Sequence, residues 1–260
     1  MPEINAASRP GLRFPGARRR PAILTDPLVI YPLLGLIAAL VAVYAFDLDH
    51  RWSDLLYRLE GNGWHLRYAW LTSRVLHEYG QRFSIAWGVA LLGLTAASFA
   101  RTRLQPWRRG LACLCVAVLT SLLLVSLGKH VLALPCPWDL AMYGGDVTGT
   151  AVYTFYPGQV GGCFPAGHAA GGYCLVALYF FARHHGLRRA RWWLAPGLVI
   201  GITYGFAQEL RGAHFLSHDI VSLALCWFVS YAVFRIGFRR PTGDRRTPRA
   251  TVAAEYDPPQ

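Results

Sequence analysis

The chain has 260 residues, 54% of them hydrophobic, and a formal net charge of +12 at pH 7. That length admits a large soluble domain or a compact membrane bundle, and the spacing of the apolar residues excludes the first. Runs of about 18 nearly uncharged residues recur, enough to cross roughly 30 Å of hydrocarbon as helix. In a soluble protein such charge would suggest nucleic acid. Here it falls in arginine runs between apolar segments, so it reads as membrane topology, with no nucleic-acid partner expected.

A basic tail over residues 1–27 comes first, with Arg9, Arg13, Arg18, Arg19 and Arg20. It is longer than a usual signal-peptide n-region and no small-x-small exit site follows, so the first apolar run reads as a retained anchor. Spans are predicted at about 28–46, 83–100, 111–128, 169–182, 193–210 and 220–238. The expected fold class is therefore all-α: a polytopic membrane protein with six transmembrane helices, forming one domain over 28–238. Arginines cluster after the second span (Arg101, Arg103, Arg108, Arg109), after the fourth (Arg183, Arg188, Arg189, Arg191) and after the sixth (Arg239, Arg240, Arg245, Arg246, Arg249). With six spans these segments and the N-terminal tail share one side, which places both termini in the cytoplasm.

The first outward connection, about 47–82, carries Trp52, Leu55, Leu56 and Leu59 at helical spacing. It reads as helix lying in the outer interface, a cap over the spans or a lip through which lipid enters. The second, about 130–167, is rich in turn formers and is expected to bring Asp139, Tyr143, Asp146 and Tyr156 near Lys129 and His168. Cys136 and Cys163 both lie in it and could form a disulfide if that space is oxidising. Cys113, Cys115, Cys174 and Cys226 fall in predicted spans, where a thiol is a small apolar filler. The tail over 239–260, rich in proline and arginine, is expected to be mobile.

Three polar islands stand at the ends of the apolar runs. Lys129, the only lysine among 26 basic residues, closes the third; FPAGH ends at His168; RGAHFLSHD runs from Arg211 to Asp219. A histidine in a helix's first turn, preceded by Gly167, suits an anionic phosphate and can act as a general acid near pH 7. Arg211, His214 and His218 would share a face if their segment is helical. His214 could attack phosphorus if His218 or Asp219 held its other nitrogen, while Lys129 and Arg211 neutralised phosphate oxygens. No carboxylate cluster calls for a metal, and no cofactor is implied.

In order, KHVLALPCP from Lys129, PAGH ending at His168 and AQELRGAHFLSH ending at His218 resemble the motifs of the type 2 phosphatidic acid phosphatase superfamily, K-x6-R-P, P-S-G-H and S-R-x5-H-x3-D. CPWDLAMYGGD and RGAHFLSHD resemble a bacterial membrane branch of it. The resemblance implies that His214 is the nucleophile, His168 the acid that protonates the leaving group, and Lys129 a phosphate ligand. Cys136 and Gln208 stand where the family has arginines, Ala166 where it has serine, and His218 where it has the orienting aspartate. The implied protein is a phosphatase that hydrolyses a lipid phosphomonoester or pyrophosphate through a phosphohistidine, in a bacterial inner membrane with its site facing the periplasm. Its partners would be a phosphorylated lipid and the bilayer. A phosphotransferase using the same histidine, and a non-catalytic lipid-phosphate transporter or binding protein, are the alternatives.

Overall fold

The computed structural model describes residues 22–148 and 162–239. Most of both tails and part of the second outward loop, Tyr156 included, lie outside the described residues. The helices are α1 (Pro27–Ala45), α2 (Leu48–Leu59), a π-helical segment (Trp70–Tyr79) leading directly into α3 (Gly80–Ala100), α4 (Arg108–Leu132), α5 (Gly167–Tyr173), α6 (Ala177–His184), α7 (Ala195–Leu210) and α8 (Leu216–Gly237).

Local chemistry accounts for the ends. Asp26 accepts from the Leu28 N–H and Pro27 occupies the first turn of α1, where its missing N–H costs nothing. Asp26 also accepts from Tyr231 and pairs with Arg235 at 3.3 Å, so the start of α1 is tied to the end of α8.

Four helical stretches are long and apolar enough to cross a membrane: Pro27–Ala45, Trp70–Ala100, Thr102–Asp139 and Leu216–Gly237. The first is apolar on all sides, yet only 6% of its most apolar window is buried inside the protein. Such a helix is stable only where its surroundings are also apolar, which fits a membrane protein. The six-span expectation is corrected to four, and the cytoplasmic placement of both termini that rested on it falls with it. The fourth predicted span is broken by a 3-10 turn over Cys174–Val176 into the short α5 and α6. The fifth is α7, whose 16 residues rise roughly 24 Å, short of the hydrocarbon thickness.

The first of these segments is apolar because it fills the protein interior, whereas α7 turns Gly197, Gly201, Tyr204 and Gly205 inward and leaves Val199, Ile202 and Phe206 exposed. Ala169, Ala170 and Tyr173 of α5 and Cys174 of the 3-10 turn pack with Val118 and Val125 of α4 and Cys226 of α8. Helices α5 and α7 approach so closely that a side chain on Gly172 would strike the backbone of Gly201. A second cluster joins Phe180, Tyr231 and Phe234 to Cys113 and Leu114. Cys113, Cys115, Cys174 and Cys226 are free and buried.

A cap covers one end. Helix α2 lies across it: Trp52 Nε1 donates to Glu209 at 2.8 Å, and Asp49 accepts from the Ser217 N–H at 2.9 Å at the start of α8. Leu140, Tyr143, Val147 and Phe215 form a small apolar cluster beneath it with Tyr57 and Trp64. The second loop, where described, carries only short 3-10 turns, at Pro137–Asp139 and Ala141–Tyr143.

Candidate active site

Lys129, in the last turn of α4, reaches across the start of α5, its Nζ donating to the Gly162 carbonyl at 2.7 Å. A Cβ on Gly167 would come within 2.7 Å of the Lys129 Cε, so glycine there is what lets the lysine lie over the turn. His168 follows in the first turn of α5. Its Nε2 is 2.7 Å from the Leu76 carbonyl in the π-helical segment, and its ring stacks on Tyr204 with centroids 4.4 Å apart. Since a carbonyl only accepts, Nε2 carries the proton and Nδ1 of the neutral ring does not. Burial, followed by the charges of His77, Arg211 and Lys129, pushes His168 down to about 4, against the Leu76 contact, which raises it.

The third island is not one helix. Arg211 caps the end of α7, Gly212 takes a left-handed conformation with φ +69°, and α8 begins only at Leu216. The expected common helical face of Arg211, His214 and His218 is therefore absent. His214 instead lies in the turn between the helices, 6% exposed. The Cys163 backbone neighbours this ring and that of His218, and the His214 Nδ1 is buried with no partner among the described residues. Burial above all, then the positive charge of Lys129 and the neighbouring His218, hold it well below the usual histidine range. At neutral pH it is an uncharged imidazole with an unengaged lone pair.

Neither expected orienting group holds that ring. The His218 ring is 5.8 Å from His214 between centroids, wholly buried, and neither nitrogen is bonded among the described residues. The Asp219 carboxyl instead neighbours that of Glu209, and two buried carboxyls so placed do not both ionise. Burial pushes Glu209 up, which favours its protonated form.

Cys136 and Cys163 are joined as a disulfide, with Cα atoms 5.3 Å apart. With Asp139 they form the group that has metal-ligand spacing among the described residues. The sulfurs are bonded to each other, and the Asp139 carboxylate accepts from the Cys136 N–H at 2.9 Å. Tyr143 turns to the cap, donating to Asp54 at 2.7 Å.

A cavity of about 540 Å³ opens beside Lys129, Gly167 and His168 and continues between α3 and α4 along Ile85, Val89, Leu92, Leu119 and Leu122. His77 lines its polar end, with its ring 4.9 Å from that of His168. Sequence reasoning missed this residue. Its stretch carries only a weak interfacial periodicity, and no motif marks a histidine that a turn of π-helix aims inward.

A family model for the PAP2 superfamily matches residues 110–241. The curated proteins and the solved structures yield no match. The matched region holds Lys129, His168 and His214 in the order of the three motifs, and it covers half the chain. The chain belongs to the PAP2 superfamily, with the hydrolytic phosphatase activity on a phosphate-containing substrate that this membership carries.

Proposed function

We propose that this protein is a membrane lipid-phosphate phosphatase that hydrolyses a phosphomonoester or pyrophosphate through a phosphohistidine on His214. The observation that carries the reading is the cavity: a lysine, a glycine turn and a histidine at one end of an apolar groove. From Gln81 to Leu92 that groove follows roughly 16 Å of α3, room for a lipid tail. A tail entering from the bilayer leaves hydrocarbon rather than water, so its transfer contributes little. Capture then depends on the phosphate end, where Lys129 provides a fixed positive charge and Arg211 a second one nearby.

The lone pair of neutral His214 attacks phosphorus, forming a P–N bond as the P–O bond to the lipid breaks. His168 gives its proton to the departing oxygen. That proton arrives with the substrate, because a phosphate dianion beside the ring raises a pKa that burial has depressed. A water then attacks phosphorus, yields a proton to His168 as the P–N bond breaks, and phosphate leaves. The buried Nδ1 of His214, which no partner engages among the described residues, supports this scheme as the nitrogen available for attack. The disulfide favours a site on an oxidising face, the periplasmic side of a bacterial inner membrane.

The test is His214→Ala in purified protein with a labelled lipid phosphate. Turnover and acid-labile phosphoprotein should both disappear; full turnover in the variant would end this mechanism.

A further inference from the structure

Gln208 stands where the family's third motif has arginine, and its amide is committed at both ends. Its Oε1 accepts from an Arg211 guanidinium N–H at 3.0 Å, and its Nε2 lies 3.2 Å from the His77 Nδ1. Arginine has donors and no acceptor, so the amide oxygen must face Arg211 and the amide N–H must face His77. The His77 Nδ1 therefore accepts, and in the neutral ring the proton sits on Nε2. Arg211 is itself anchored, its Nε donating to the Arg67 carbonyl at 3.2 Å. The result is a chain of fixed polarity that ends in an N–H donor on a residue lining the polar end of the cavity, beside His168 and in the same lining as Lys129.

We infer that His77 is a phosphate-binding residue of this site, presenting its Nε2–H to a phosphate oxygen, with Gln208 and Arg211 as the positioning residues that fix its tautomer. The inference rests on the phosphatase reading for its ligand and names a group that none of the three motifs contains. It also gives the Gln208 departure a physical meaning. A guanidinium at position 208 could itself bind phosphate, whereas glutamine relays the polarity of Arg211 to an imidazole one step closer to the substrate. A neutral donor with fixed direction loses less to desolvation than a further cation would, and it repels Lys129 less.

The test uses the full-length protein in detergent, with inorganic orthovanadate as the phosphate probe in titration calorimetry and a short-chain phosphatidate for turnover. His77→Phe keeps a planar ring and removes the donor. Vanadate affinity and kcat/KM should each fall roughly ten- to a hundredfold, the range for a lost hydrogen bond to a charged group. His77→Gln places an amide N–H near the former Nε2 and should recover most of both, which a merely structural role for the ring would not produce. Gln208→Leu leaves His77 in place but releases its tautomer, and should weaken vanadate binding by less than His77→Phe does. Wild-type vanadate affinity in His77→Phe, or no recovery in His77→Gln, would overturn the assignment; if His77→Phe does not fold, unchanged affinity in both His77→Gln and His77→Ala would do so. Wild-type protein that binds vanadate with this pattern but hydrolyses no lipid phosphate would refute the phosphatase reading and leave His77 assigned.

Discussion

Removing the disulfide should damage stability and catalysis separately. Cys136 and Cys163 are 27 residues apart in sequence. Closing a loop of that length withdraws roughly 3–4 kcal/mol of chain entropy from the unfolded state. At about 2–4 °C per kcal/mol for a chain of this size, Cys136→Ser/Cys163→Ser should melt roughly 10 °C lower. The catalytic effect is local. The bond anchors the segment whose Gly162 carbonyl accepts from Lys129 and whose Cys163 neighbours His214. Losing one such charge-assisted contact costs roughly tenfold or more in rate, if it is made in the transition state. The assay is scanning fluorimetry alongside phosphate release at a temperature well below both melting points, with reductant-treated wild type as a second arm. An unchanged melting temperature would refute the entropic argument, and unchanged kcat/KM would refute the placement of this segment in the site.

Two further outcomes follow from the same geometry. Gly167→Ala puts a methyl within 2.7 Å of the Lys129 Cε and should displace the ammonium from the Gly162 carbonyl; kcat/KM for phosphate release should fall roughly tenfold while the melting temperature moves little. For pH, the His214 pKa is depressed on folding, so below the unfolded value near 6.5 the unfolded chain binds the extra proton and the folded one does not. Its contribution is full above pH 6.5 and declines as pH falls, by up to about 1.4 kcal/mol per unit. Melts between pH 7.5 and 5 should slope downward toward acid, and His214→Gln should flatten part of that slope; an unchanged slope would refute it.

The motif residues were legible in the sequence because they are rare polar exceptions in apolar surroundings. A single lysine, a Pro-Ala-Gly-His turn and a histidine-rich island stand out without any knowledge of packing, and their order carries the family. The number of spans was not legible in the same way. An apolar residue facing lipid and one facing a neighbouring helix look alike in a sequence, so α5 and α6 read as a span although their apolar faces are committed to the protein interior, and α7, with Val199, Ile202 and Phe206 exposed, read as one although its 16 residues are too short. The helical reading of the third island failed for a local reason, since Gly212 ends α7 before His214.

What the sequence by itself determined is therefore the chemistry available: apolar helices for a membrane, and Lys129, His168 and His214 as the candidates proposed for phosphate. What only the tertiary structure decided is which groups hold them. Asp219 was the natural chemical partner for His214, yet it lies against Glu209, and the His214 Nδ1 is left without a partner among the described residues. His77 reaches the site from a segment far away in the chain, through an amide whose direction is dictated by Arg211. Hydrogen-bond direction depends on which donors and acceptors meet in space, and that meeting is set by packing across the whole bundle.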